Sequence, residues 1–175
     1  MLTCSRCGLA ALVLLALAFT GCDTNNPGGR VLGDLEGVYT LEELVFTPET
    51  AALDPVDLGA RISTEATTLE VFGNGDNALL RSRFAGGTTR RTDLEVRALS
   101  NAIEFTAVTA DDEDELADLF LPRTFRLGFS SPRGTLLAAD PDLFLSDVNL
   151  QAFDPDRYQG LTSVRGRLAI GFRRP

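Results

Sequence analysis

The stretch VRGRLAIGFR, Val164–Arg173, alternates strictly between two kinds of residue. One parity is apolar or glycine: Val164, Gly166, Leu168, Ile170 and Phe172. The other parity carries the charges and small residues: Arg165, Arg167, Ala169, Gly171 and Arg173. Successive side chains of a β-strand point to opposite faces, so period-two alternation is the signal of a half-buried strand. The stretch therefore predicts a strand with one face in a core and the other in water.

The same period-two pattern recurs upstream and is broken by turn residues. Strands are predicted over residues 37–46, 67–72, 78–84, 88–98, 102–108, 124–129, 135–139 and 143–153. The segment Gly73–Asp76 predicts a hairpin turn, and the adjacent pair Glu42 and Glu43 marks a bulge in the first strand. Short strands joined by tight turns are typical of antiparallel architectures. We expect an all-β, up-and-down barrel of about 8–10 strands, with a β-sandwich as the second choice.

One segment follows helical spacing instead. The residues TADDEDELADLF, Thr109–Phe120, carry acids in their first turn, and Thr109 with Asp112 matches a capping box. Pro122 ends the pattern. We predict a short helix between two strands that covers one end of the barrel. A second short turn of helix is predicted at Pro155–Gln159.

The composition excludes several classes of chemistry. The 175-residue chain contains no His, its basic residues are all Arg, and its net charge is −9. Without His, neither a Ser-His-Asp arrangement nor a His-containing zinc site can form within the chain. An acidic chain repels nucleic acid and anionic membrane surfaces, so neither is an expected partner. We expect a protein that is not an enzyme and that needs no cofactor.

The N-terminus carries a leader-like segment. The apolar run Leu9–Phe19 is too short to span a bilayer, which needs about 20 residues, but suits a signal peptide. Thr20, Gly21 and Cys22 follow, and this order resembles the lipobox of bacterial lipoproteins, with Phe19 where Leu is usual. The resemblance implies cleavage after Gly21 and diacylglycerol on the Cys22 sulfur. The alternative is an ordinary secretory signal with an incidental Cys.

These features divide the chain into three parts. Residues 1–21 are the expected lipoprotein signal peptide, residues 22–34 the lipidated Cys22 with a flexible tether, and residues 35–175 a single β-barrel domain. The pair Cys4 and Cys7 lies in the leader and would be discarded with it. The expected location is the cell envelope, lipid-anchored to the inner or outer membrane. Two or three acyl chains anchor a protein firmly, whereas one is marginal.

The start of the domain, LEGVYTL at residues 35–41, resembles the first strand of lipocalin-like proteins. That family has Gly-x-Trp there; Gly37 matches, and Tyr39 stands in place of the Trp. The resemblance implies an eight-stranded barrel in which a basic residue near the last strand packs over the aromatic ring. The residues considered for that role are Arg165, Arg167 and Arg173.

Two functions follow as expectations. The first is a small apolar ligand bound inside the barrel, in a pocket lined by residues of inward parity: Tyr39, Leu69, Phe105, Phe125 and Phe172. The second is a structural or accessory envelope lipoprotein with a filled core that acts through protein–protein contacts. No catalytic residue and no metal ligand is assigned.

Three charged patterns have simpler interpretations than a site. The run Asp111–Glu115 lacks the spaced oxygens and the glycine of a calcium loop, so we interpret it as a helix start. The recurring Asp-Pro pairs, at residues 54–55, 140–141 and 154–155, predict turns. A set of arginines on neighbouring strands is expected on an outer face, paired with Asp93 and Glu95, or binding a ligand carboxylate: Arg81, Arg83, Arg90, Arg91 and Arg97.

Overall fold

The computed structural model describes residues 34–130, 133–138 and 143–175. The leader, the lipobox with Gly21 and Cys22, and most of the tether lie outside the described residues. So does the Asp-Pro pair at residues 140–141. All structural statements below concern the described ranges.

Ten strands and two short helices make up this part of the chain. The strands are β1 Gly37–Pro48, β2 Val56–Asp57, β3 Thr68–Phe72, β4 Asn77–Arg83, β5 Thr89–Ala98, β6 Ile103–Ala107, β7 Thr124–Ser130, β8 Thr135–Leu137, β9 Phe144–Val148 and β10 Val164–Arg173. The helices are α1 Ala110–Ala117 and α2 Leu150–Phe153. Two 3-10 turns, Leu58–Ala60 and Thr64–Ala66, follow β2.

Eight of the strands close into an antiparallel barrel. The order is β1-β3-β4-β5-β6-β7-β8-β10, and β10 pairs back onto β1. Sequential neighbours are joined mostly by short turns, which is the meander that the spacing of the turn residues predicts. The all-β, up-and-down barrel is confirmed, and the sandwich is not what forms.

The first and last strands close the ring through a long antiparallel register. It runs from Thr40 opposite Arg173 to Pro48 opposite Gly166, and it shifts between Leu41 and Glu43, where the sequence predicts a bulge. Gly166 lies directly under Phe46, because a Cβ built there would stand 2.6 Å from the Phe46 Cζ atom. Only glycine permits this close approach of the two strands.

The barrel has two different ends. At the hairpin end lies the turn Gly73–Asp76, in which Gly73, Asn74 and Gly75 all have positive φ angles. At the helix end lie α1, α2 and the two strands outside the ring. Here β2 pairs with β1 beyond β3, and β9 pairs with β10 beyond β8. β1 therefore has β3 as its neighbour near the hairpin end and β2 near the helix end. In the same way, β10 has β8 near the hairpin end and β9 near the helix end.

α1 begins as the sequence predicts. The Thr109 hydroxyl accepts a hydrogen bond from the Asp112 backbone N–H, and the Asp112 carboxylate accepts one from the Thr109 backbone N–H. The same carboxylate accepts a 2.8 Å bond from the Asp93 backbone N–H, which ties α1 to β5. Burial opposes ionisation of Asp112, but these hydrogen bonds outweigh it and hold its pKa below the usual value.

Two local predictions are wrong. The segment 143–153 is not one strand, because β9 ends at Val148 and Asn149 caps α2 by accepting a 3.0 Å bond from the Ala152 backbone N–H. The helix expected at Pro155–Gln159 is a turn instead. There the Asp154 carboxylate accepts a 3.0 Å bond from the Arg157 backbone N–H, which satisfies that donor locally.

Candidate functional site

The five side chains predicted to line a ligand pocket lie in the packed core. Tyr39, Leu69, Phe105, Phe125 and Phe172 are each at most 2% exposed. Phe105 and Phe125 stack on each other across β6 and β7, with ring centroids 5.3 Å apart. The structure brings these five together in the barrel interior, and none of them lines the cleft described below.

Tyr39 meets a basic residue at the hairpin end, but not one of the three considered. Arg174 lies over the ring, with its Cζ atom 5.1 Å from the ring centroid. Its Nη2 donates to the Tyr39 hydroxyl at 2.8 Å and to the carbonyls of Asp34 and Glu36. The Tyr39 hydroxyl in turn donates to the Leu35 carbonyl at 2.5 Å.

Strand parity explains why the choice of Arg165, Arg167 or Arg173 is wrong. Those three share the outward parity of β10, and Arg173 forms an outer ion pair with Glu42. Arg174 shares the inward parity of Phe172 and lies just past the strand, so its side chain turns across the barrel end. The alternation of β10 therefore indicates Arg174, but sequence reasoning does not reach it because Arg174 lies after the end of the apolar run.

This contact changes the ionisation of Tyr39. Burial raises the pKa of the Tyr39 phenol above its ordinary value of about 10, and the Arg174 charge and hydrogen bond offset part of that rise. Folding thus favours the neutral phenol. Arg174 favours the phenolate.

A cleft opens at the helix end. Its volume is about 530 Å³, within the range of about 300–1,000 Å³ that small-molecule sites usually have. One wall is the segment Ala117–Pro122 at the end of α1, apart from Leu119, and another wall is β9 with its flanking residues. Phe153 of α2 and Arg61 complete the lining. The cleft lies where β9 has taken the place of β8 beside β10.

A chain of aromatic rings connects the core to this cleft. Phe46 of β1 meets Phe120 edge to face at 6.0 Å between centroids, and Phe120 meets Phe153 at 5.8 Å. Phe153 also lies 6.4 Å from Tyr158. Edge-to-face pairs stabilise by about 0.5–1.5 kcal/mol beyond their buried area. The cleft wall is therefore continuous with the barrel core.

Phe120 holds its position at a conformational cost. Its φ angle is +59°, in the left-handed region that a bulky residue rarely adopts. The Leu121 N–H donates to the Leu116 carbonyl and the Phe120 N–H to the Ala117 carbonyl, each at 3.0 Å, which is a Schellman ending of α1. Glycine is usual at this position. This backbone conformation costs about 1–3 kcal/mol, and it places an aromatic ring at the cleft.

Arg61 forms the remaining wall. Its Cζ atom lies 4.8 Å from the centroid of Phe153. Its backbone is fixed on both sides, since its N–H donates to the Leu58 carbonyl at 3.0 Å and its carbonyl accepts from Ala85 at 2.7 Å. The sequence does not predict that Arg61 lies over Phe153, because the two residues are 92 positions apart.

Two of the five strand arginines use other partners than predicted. Arg81 pairs with Glu70 on the neighbouring strand at 2.7 Å, and Arg90 pairs with Glu115 and Asp118 at α1. Asp93 and Glu95 are not their described partners. Arg81 reaches a diagonal neighbour on β3, and Arg90 reaches the adjacent helix.

Three further searches of the chain gave negative results. Within residues 34–130, 133–138 and 143–175, no group of three acidic or thiol side chains is gathered to hold a metal ion. No helix in these ranges is both long and apolar enough to cross a membrane. Comparison of the chain with protein-family models, curated proteins and solved structures finds no match in any of the three.

The Tyr39–Arg174 contact predicts a pH dependence. The unfolded phenol loses its proton near pH 10, whereas the folded phenol holds it to higher pH. Above about pH 10 the folded state therefore binds more protons, and the free energy of unfolding falls as pH rises.

The substitution Arg174→Gln removes the charge that favours the phenolate, so the pKa of Tyr39 rises further. Spectrophotometric titration of the phenolate measures this shift.

Arg173→Gln is the matched control for that titration. Its side chain pairs with Glu42 on the outer face, 3.0 Å away, and does not touch Tyr39. We expect it to leave the Tyr39 titration unchanged. A lower pKa of Tyr39 in Arg174→Gln, or an equal shift in both variants, contradicts the assignment.

Proposed function

We propose that the protein is a non-enzymatic, lipid-anchored binding module of the bacterial cell envelope that holds a small, mostly apolar ligand. The observation that carries the proposal is the cleft of about 530 Å³ at the helix end, walled by Phe120, Leu121 and Phe153. Concave, largely apolar sites with a few polar groups are where proteins bind small molecules. The ligand belongs in this cleft, because the five interior residues first considered pack against one another in the core.

The expected anchor agrees with this position of the cleft. The chain enters the domain at the hairpin end, where Arg174 binds the Asp34 carbonyl and the Glu36 carboxylate accepts from the Asn74 backbone N–H. A lipid on Cys22 would lie beyond that end, on a tether spanning about 20 Å. The cleft, at the other end of the barrel, would then stay accessible from the surrounding compartment.

The proposal that the module is not an enzyme is supported by composition. A chain without His would have to use carboxylates, Tyr or Arg for proton transfer at neutral pH. The described lining of the cleft does not single out any carboxylate, Tyr or Arg for proton transfer. Asp118, one of its acids, is held in an ion pair with Arg90.

A second candidate function is supported by one strand edge. In the part of the chain that the structure describes, β9 pairs only with β10, so its other edge has no strand partner. Phe144 of β9 is 39% exposed. Exposed strand edges accept an added strand from another protein. An accessory envelope protein acting through protein contacts would use this edge.

The anchor is tested by acylation in the full chain. We expect a bacterium expressing the protein to incorporate labelled palmitate into it and to retain it in the membrane fraction. Cys22→Ser removes the acceptor sulfur and should abolish both. Cys7→Ser, in the leader, is the control and should change neither. Retention of the label by the Cys22→Ser variant contradicts the lipobox assignment.

The ligand site is tested with N-phenyl-1-naphthylamine, a neutral apolar probe whose fluorescence rises on leaving water. We expect saturable binding to the wild-type protein. Phe153→Ala removes one aromatic wall and should weaken binding about tenfold, the equivalent of about 1.4 kcal/mol. Ala152→Trp fills the cleft from an exposed position without removing core packing, and it should block binding.

Phe72→Ala is the matched control for these variants, since Phe72 is 44% exposed on β3 at the hairpin end. It should bind the probe as the wild type does. Absence of saturable binding in the wild type contradicts the proposed function, and so does full binding by Ala152→Trp.

A further inference from the structure

We infer that the ligand of the cleft is an amphipathic carboxylate, whose head group is bound by the Arg61 guanidinium while its apolar body lies against Phe120 and Phe153. The inference rests on the proposed function and specifies the ligand class of the same site. The cleft contains both parts that such a ligand requires: an apolar wall, and a cation at its rim.

The charge of Arg61 is not balanced by a carboxylate. Within the ranges that the structure describes, its guanidinium forms no ion pair or side-chain hydrogen bond and lies over the Phe153 ring. The neighbouring Arg90 is different, since it pairs with Glu115 at 2.9 Å and also with Asp118. Asp118 lines the cleft but is thus already engaged. A guanidinium at a cleft wall without a carboxylate partner is complementary to an anionic ligand.

The other acid of the lining sets the orientation. Asp147 lies on the wall that β9 forms, and it is exposed. Its charge disfavours an anion on that wall and favours one on the Arg61 wall. The head group is therefore expected beside Arg61, and the apolar body along Phe120 and Leu121.

Arg61 is positioned for this role before the ligand binds. The two backbone hydrogen bonds, to Leu58 and from Ala85, fix where its side chain begins, and the Phe153 ring supports one face of the guanidinium. The N–H donors of a guanidinium lie in its plane, so stacking on a ring leaves them available for a bidentate contact with a carboxylate. Little side-chain freedom is lost when the ligand binds.

The position of Arg61 keeps the head group near water. Arg61 is exposed, and it also lines a neighbouring depression of about 260 Å³ together with Phe84 and Arg90. Arg90 is already paired there with Glu115 and Asp118, so it adds no net positive charge. A carboxylate can thus remain partly hydrated while its apolar body leaves water, which avoids the cost of fully burying a charge.

The test uses three probes of equal chain length, decanoate, decanol and decylamine, each displacing N-phenyl-1-naphthylamine below its micelle concentration. We expect decanoate to bind the wild-type protein about tenfold tighter than decanol, and decylamine to bind more weakly than either. Arg61→Gln should abolish the advantage of decanoate over decanol. Raising the ionic strength should reduce the advantage in the wild type.

Arg157→Gln is the matched control. Arg157 also stacks on a ring, with its Cζ atom 5.2 Å from the Tyr158 centroid, but it does not line the cleft. It should keep the full preference for decanoate. Arg61→Lys retains the charge without the planar fork, and it should keep part of the preference.

The outcomes separate the two proposals. If none of the three probes displaces the dye, the proposed function fails. If decanol binds and decanoate binds no tighter, only the carboxylate inference fails. If Arg61→Gln weakens decanol and decanoate equally, Arg61 merely supports Phe153 and the inference is overturned.

Discussion

The fold depends on the pairing of β1 with β10. These strands are the first and last of the barrel, so their register joins residues that lie between 118 and 133 positions apart in the chain. Gly166 under Phe46 allows the two backbones to approach, and the bulge after Leu41 adjusts β1 to the curve of the ring. Arg174, just beyond β10, then binds Tyr39 and the carbonyls that precede β1. Closure at this seam removes the edges that a curved sheet would otherwise expose.

The same seam determines where the cleft lies. Towards the helix end, β2 replaces β3 as the neighbour of β1, and β9 replaces β8 as the neighbour of β10. The closed ring of strands ends there and separate segments follow. The cleft lies between these segments. Phe46 belongs to the seam and begins the aromatic contacts that reach Phe120 and Phe153. The interior is occupied by packed side chains, whereas the unusual backbone of Phe120 occurs at the cleft. Strained conformations tend to be found at functional sites, which agrees with the assignment.

Much of the fold follows from local sequence, and the cleft does not. Alternation and turn residues predict the barrel, the Gly73–Asp76 hairpin and the capped start of α1, because each depends on residues near one another in the chain. The five interior residues have the inward parity that the sequence predicts, but parity cannot distinguish a packed core from a lined cavity. Arg61 meets Phe153 only after the barrel has closed, and no spacing rule relates them. The short β2 and β9 are likewise fixed by their pairing with longer strands and not by their own few residues.

The central claim is that the ligand occupies the cleft at the helix end while the barrel interior stays filled. The most direct measurement is a methyl NMR titration of the leucine-labelled protein with decanoate. The account predicts that the methyl resonances of Leu121 and Leu143, which line the cleft, shift and saturate together, while that of Leu69 in the interior does not move. A saturable shift of Leu69 with Leu121 and Leu143 unmoved would place the ligand inside the barrel and contradict the account.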